Sequence, residues 1–310
     1  VQTRLCCMAT YTTANTAQNN TFSKIVIGGA VAATAWIAYN SITSTLNGKS
    51  ASSNQCKYIY IAGDRSAVGK SSICAALIQS FIDNKILSAS EIGYIKPQTQ
   101  CISATHVARY CLTNGIECAP IGPIVFKKGY TSQVIDGKHG SRAHRLNLIK
   151  TAIERVSKGK KLVVIDGVGY VSVGSVTRTD NVDVAKLMNA YTILIVRSGI
   201  GDSIDTTNLL LAYYQSKYPM ERLLGVIYNF KEQNSSHRVE SCKLYVSKYF
   251  KENRASLKLL GWIPPLDKED INVPDEVVSC MRNNNPQNID WKSWPKLHPT
   301  EIEWLTAFAK

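Results

Sequence analysis

The chain has 310 residues, enough for one large α/β domain or two small ones, and its 45% hydrophobic and 8% aromatic content suits a packed core rather than a disordered chain. A net charge of +13 and a pI near 9.3 call for an anionic neighbour, whether nucleic acid, a membrane surface or acidic protein. No Arg/Lys run interleaved with aromatics occurs, which argues against nucleic acid. Nine scattered cysteines, with no C-x-x-C pair and no histidine cluster, argue against a disulfide framework or a zinc site and suit a reducing compartment.

Residues 1–24 form a polar segment rich in Thr, Asn and Gln, with Arg4 and Lys24 and no acid. The start at Val1 fits a mature end left by removal of a targeting peptide, an incomplete sequence being the alternative. Residues 25–46 lie in a stretch without charge between Lys24 and Lys49, and contain the apolar run IVIGGAVAATAWIAY. This segment is expected to be a single transmembrane helix of marginal hydrophobicity. Trp36 and Tyr39 suit an interface, and Gly28, Gly29, Ala32, Ala33 and Ala35 would let a second helix approach closely. A soluble helix or an uncleaved targeting segment is the alternative. Residues 47–56 read as a polar linker.

The folded domain is expected over residues 57–266. It opens with YIYIAGDRSAVGKSS, residues 58–72, an apolar strand followed by a glycine turn and a helix start. Gly63-x5-Gly69-Lys70-Ser71 is a phosphate-binding loop one residue longer than the common G-x4-G-K-[ST] spacing. Glycine lets backbone approach an anion, and the amides of the new helix point at phosphate. Lys70 supplies charge to the outer phosphates, and the Ser71 hydroxyl is placed for Mg²⁺. The loop helix is expected over about 70–83, with Cys74 in its apolar face. EIGYIKP gives a second strand, and residues 104–112 read as helical. Residues 119–140 look irregular and basic, and a helix follows over 141–157.

The continuous apolar run of KLVVIDGVGY predicts a strand buried on both faces and ending in Asp166, at the strand end where α/β sheets bind ligands. YTILIVRS (191–198) is the next strand, followed by a Gly-Ile-Gly turn and a helix from about Ser203. A strand over 223–230, a basic helix over 236–252 and a short strand over 258–265 complete the pattern. Such alternation predicts a doubly wound parallel sheet. Residues 267–310 are a Pro- and Trp-containing tail ending in a helix that Thr300 and Glu303 would cap.

Taken together and in order, these motifs resemble dethiobiotin synthetase, and more broadly the cobyrinate synthases and the amino-terminal domain of some phosphate acetyltransferases. GDRSAVGKS is similar to the family's GTDTxVGKT, and YIKP to its strand-ending Lys-Pro. IDGVGYVSVG is similar to EGAGGLLVP. ILIVRSGIGDSIDTTNLLL, GVIYN and LLGWIP resemble the later strands and turns. The resemblance covers about residues 57–266. It implies that Gly63, Ser66, Gly69, Lys70 and Ser71 hold the phosphates of ATP or another purine nucleotide. It also implies that Ser71 and Asp166 hold Mg²⁺, that Asn229 reads the base, and that Lys96 handles a carbamate if the domain is catalytic. Arg65 stands where the family has an acid, five residues before Lys70, and reads either as a phosphate clamp or as a filler of the lost acid's place. The family's second metal carboxylate would fall near 100–108, a stretch without any acid here, and Tyr170 replaces the second glycine of EGAGG.

Two functions are expected from this. The first is a membrane-anchored nucleotide-binding subunit without the reaction, held in a mitochondrial inner-membrane complex of respiratory type, with a plastid membrane as the alternative. Its neighbours would be membrane subunits, reached through residues 25–46 and the tail, and anionic lipid. The second is an active ATP-dependent ligase or carboxylating synthetase with an altered substrate.

Overall fold

The computed structural model describes residues 56–83, 85–229 and 239–263. The expected transmembrane helix over 25–46, most of the linker and the tail over 267–310 lie outside them. Among the described residues, no helix is long and apolar enough to cross a membrane.

Nine strands and seven α-helices are described. They run β1 (Lys57–Gly63), α1 (Lys70–Asp83), β2 (Ile92–Ile95), β3 (Gln98–Thr99), α2 (His106–Thr113), β4 (Glu117–Ala119), β5 (Ile124–Val125) and α3 (Tyr130–Ile135). Then come α4 (Arg142–Ser157), β6 (Leu162–Asp166), α5 (Asn181–Leu187), β7 (Tyr191–Arg197), α6 (Gly201–Gln215), β8 (Leu223–Asn229), α7 (Val239–Asn253) and β9 (Leu259–Ile263). Seven strands form one sheet in the order β4-β2-β6-β1-β7-β8-β9. Every neighbouring pair is parallel. The small strands β3 and β5 pair with each other just beyond β2.

The period of two along each strand divides the core. Ile59, Ile61, Val164, Ile193 and Ile195 face α1 and α2, together with Phe81, Cys74 and Val107. Tyr60, Ala62, Val163, Ile165, Leu194 and Val196 face α4 to α7, with Ile149, Val182, Leu211 and Phe250. Both faces are covered, so the central strands are apolar throughout, and the sheet is doubly wound as expected. β1 sits in the middle, with β6 on one side and β7 on the other. Loops leaving the C-terminal ends of β1 and β6 therefore meet over one crevice.

The expected long helices and main strands are present with boundaries shifted by a few residues: α6 begins at Gly201 rather than Ser203, and α7 spans 239–253. The stretch 119–140 is not wholly irregular, since β5 and α3 lie within it. β4 and α5 are additions that no expectation covered.

Candidate functional site: a phosphate loop against a buried carboxylate

The loop between β1 and α1 is built by close approach. A Cβ at Gly63 would lie 2.7 Å from Val68 Cγ1 and 3.1 Å from Lys70 Cδ, so only glycine lets the loop fold back over its own start. Gly69 turns into the helix with φ +101°, and Ala67 takes φ 60° at the tip. Lys70 Nζ donates to the Arg65 carbonyl at 2.7 Å and so bridges the loop from inside. Burial, first of all, lowers the Lys70 pKa to about 8; Asp166 acts the other way, and Lys96 adds to the lowering. An anion in the loop would favour the charged form.

Across the loop, Asn229 at the end of β8 donates from Nδ2 to the Val68 carbonyl at 2.8 Å. The expected base-reading residue therefore stands beside the loop and braces it, with Oδ1 making none of that contact. Ser66 is exposed on the loop. Arg65 is half-exposed and pairs through Nε with its neighbour Asp64 Oδ2 at 3.2 Å. Asp64 in turn accepts from the Arg197 amide at 3.3 Å, tying the loop to the end of β7.

Asp166 ends β6 with its side chain fully buried. Its Oδ2 accepts from Ser71 Oγ at 2.6 Å, Tyr94 OH at 2.9 Å and Lys96 Nζ at 2.9 Å. Burial pushes the Asp166 carboxyl upward, but Lys96, Ser71 and Lys70 outweigh it and hold the pKa below the ordinary carboxylate value. Lys96 is thus not a surface residue: its side chain is 16% exposed, and Nζ also donates to the Gly167 carbonyl at 3.3 Å. The structure brings Lys70, Ser71, Lys96 and Asp166 together. It also brings in Tyr94 and His106, which no expectation named. His106 opens α2 within the acid-free stretch, feels the charges of Asp166 and Lys96, and has its pKa lowered mainly by burial.

The donor set fits Mg²⁺. Asp166 Oδ1 is buried with no hydrogen-bond partner. Ser71 gives its proton to Oδ2 and keeps its lone pairs. Two hard oxygens at a phosphate loop suit an ion that retains water and phosphate ligands. Among the described residues, no group of three or more His, Cys, Asp or Glu side chains is placed to hold a metal.

The loop after β6 is held by Asn181, at the start of α5. Its Oδ1 accepts from Tyr60 OH at 2.7 Å and the Val168 amide at 3.1 Å. Its Nδ2 donates to the carbonyls of Val168 at 2.8 Å and Tyr170 at 2.6 Å. Asp180 caps the same helix by accepting from the Val182 and Asp183 amides, and it is bonded to Tyr213 and Lys217. The sequence carried a signal for this, a Thr-Asp-Asn run before VDVAKL, but a helix of 7 residues offers too few turns for a periodic pattern. Tyr170, beyond this bracket, has its ring half-exposed.

A parallel sheet with this loop, lysine, hydroxyl and strand-end carboxylate defines a P-loop NTPase domain. The family model described as an AAA domain matches residues 57–270, and the chain belongs to that family. No curated protein matches the chain. Among solved structures, a DUF1611 family protein from Anabaena variabilis is similar at 12% identity and a TM-score of 0.38, over 65% of this chain and 52% of that one. Chloroplast FtsY from Physcomitrella patens is similar at 11% identity and a TM-score of 0.41, over 75% of this chain and 70% of that one. The chain thus spans about half the length of the first.

Proposed function

We propose that the domain binds a purine nucleotide with Mg²⁺, and that it does so as an accessory subunit rather than as a synthetase. The observation that carries the nucleotide reading is the Lys70, Ser71 and Asp166 cluster at the mouth of the loop. Lys70 and the loop amides take the phosphates, Ser71 and Asp166 take the metal, and Asn229, bonded to the loop at the Val68 carbonyl, takes the base. The accessory reading rests on the dethiobiotin synthetase-like motifs being incomplete. No acid occurs over 100–108 to share the metal, and Arg65 replaces an acid beside the loop. Phosphoryl transfer depends on the metal being held in register with the γ-phosphate. A misplacement of about 1 Å costs on the order of a hundredfold in rate.

The uncharged segment 25–46 is the proposed membrane anchor, and it and the tail are the proposed contacts with neighbouring subunits and anionic lipid. The proposed site is the mitochondrial inner membrane, or a plastid membrane. One observation favours the second reading, an ATP-dependent ligase: Lys96 is held on Asp166, which also bonds Ser71 of the phosphate loop, and in that reading Lys96 is the carbamate-handling lysine.

Calorimetry of ATP with the full chain in detergent tests nucleotide binding. Lys70→Ala is expected to weaken it by roughly 2–4 kcal/mol, as for loss of a charge-assisted contact to a buried ionic partner. Equal binding by both proteins rejects the assignment. Single-turnover hydrolysis with diaminopelargonate and bicarbonate separates the two readings. Turnover that depends on that substrate and is lost in Lys96→Ala restores the synthetase.

A further inference from the structure

We infer that Lys96 is a built-in counter-cation of Asp166, which lets the loop bind nucleotide phosphate without a divalent metal. The inference rests on the nucleotide reading above and sharpens it. A buried carboxylate needs a compensating charge or a dense set of donors. Asp166 has both on one oxygen, with Lys96 Nζ at 2.9 Å beside the Ser71 and Tyr94 hydroxyls. The ammonium therefore lies on the metal carboxylate itself, which also accepts a hydrogen bond from the loop serine.

Its placement is fixed by backbone. Lys96 follows β2 directly, and the loop after β4 packs on it so closely that a Cβ at Gly122 would come within 2.1 Å of the Lys96 carbonyl. The second bond, to the Gly167 carbonyl at 3.3 Å, holds the ammonium over the end of β6.

Charge balance gives the consequence. A polyphosphate beside unpaired carboxylates is repelled, and a metal ion is then needed to cancel the repulsion. Here both acids nearest the loop are paired, Asp166 with Lys96 and Asp64 with Arg65. Lys70 remains, bonded to a carbonyl, as the surplus positive charge. The stretch 100–108, which faces Asp166 through His106, adds no negative charge. The site is thus cationic before any metal arrives. Mg²⁺ can still use Asp166 Oδ1 in the nucleotide complex, but it is not what makes the phosphates welcome.

The test is ATP binding to the full chain in detergent, with EDTA and with Mg²⁺. The wild-type dissociation constants are expected to agree within about threefold, because Lys96 already neutralises Asp166. Lys96→Met leaves that carboxylate bare, and its affinity in EDTA is expected to fall at least about tenfold and to be largely restored by Mg²⁺. Lys96→Arg, which keeps the charge, is expected to behave as wild type and guards against a folding failure in the methionine variant. Electron paramagnetic resonance of Mn²⁺ without nucleotide gives an independent arm, with a bound ion expected in Lys96→Met and none in wild type. Three results overturn the inference while leaving nucleotide binding intact. They are a wild-type loss of about tenfold or more in EDTA, equal metal dependence in wild type and Lys96→Met, or Mn²⁺ held by the wild type alone. A wild type that binds no nucleotide in either buffer overturns the nucleotide reading and this inference with it.

Discussion

Asn181 uses both ends of its amide twice, and all four bonds fall on Tyr60 or on the chain just after Asp166. Removing it strands buried donors and acceptors, each costing about 1–3 kcal/mol. Asn181→Ala is therefore expected to lower unfolding stability by about 2–4 kcal/mol, read as a shifted urea midpoint with an unchanged slope. It should also weaken ATP binding, because Gly167 is wedged between the Ile61 carbonyl and Asn181 Oδ1, and its own carbonyl receives Lys96. Residues of this kind were the hardest to find in the sequence. Lys70 and Ser71 announce themselves through fixed spacing inside one loop. Asp166 stands out as an acid ending an apolar run. Asn181, Tyr94 and His106 matter through partners up to 121 residues away, and one chain read alone carries no sign of such pairs.

At the level of elements, the pairing of β2 with β6 decides whether Lys96 meets Asp166. Ile95 sits opposite Ile165, so the next residue of each strand arrives at the same height. That register is clasped at the other end. Glu91 accepts from the Ser88 amide at 2.9 Å and the Ser88 hydroxyl at 3.0 Å, pairs with Lys161 at 2.6 Å, and its carbonyl accepts from the Lys161 amide. Lys161, with the Ser88 bonds behind it, lowers the Glu91 pKa from 4.5 to about 2. A carboxyl with a folded pKa below its unfolded one contributes stability above the unfolded value, and loses it as pH falls through the folded value. Stability is thus expected to drop between pH 4.5 and about 2, and Glu91→Gln should flatten that part of the urea-midpoint profile. Gly122→Ala tests the other end of the same pairing. Its Cβ would meet the Lys96 carbonyl at 2.1 Å, so backbone must move, with an expected loss of about 1–3 kcal/mol in chemical denaturation. The main strands and the long helices α1, α4, α6 and α7 were legible because each repeats its apolar period several times. β4, β5, α3 and α5, at 2 to 7 residues, are too short for any period to show, and tertiary packing decides them.

On the scale of the whole molecule, the uncharged segment 25–46 leads to one further expectation. Alkaline carbonate extraction should leave the chain with the membrane pellet, and release into the supernatant rejects the anchor. The order of the sheet has a consequence of another sort, in time rather than in energy. β1 is the first of the described strands to be made, yet Lys57 pairs with Leu162 and Ile59 with Tyr191, so neither neighbour exists until more than a hundred further residues have been added. No strand of this sheet can close on the next as a hairpin, and parallel pairing of distant segments is slow. At about 5–20 residues per second, a ribosome takes on the order of 5–20 s to deliver β6 after β1. An apolar strand must wait that long without a sheet, a natural client for a chaperone. Asn229, which braces the phosphate loop, comes later still. Among the described elements the loop is made early and is among the last to take its working shape.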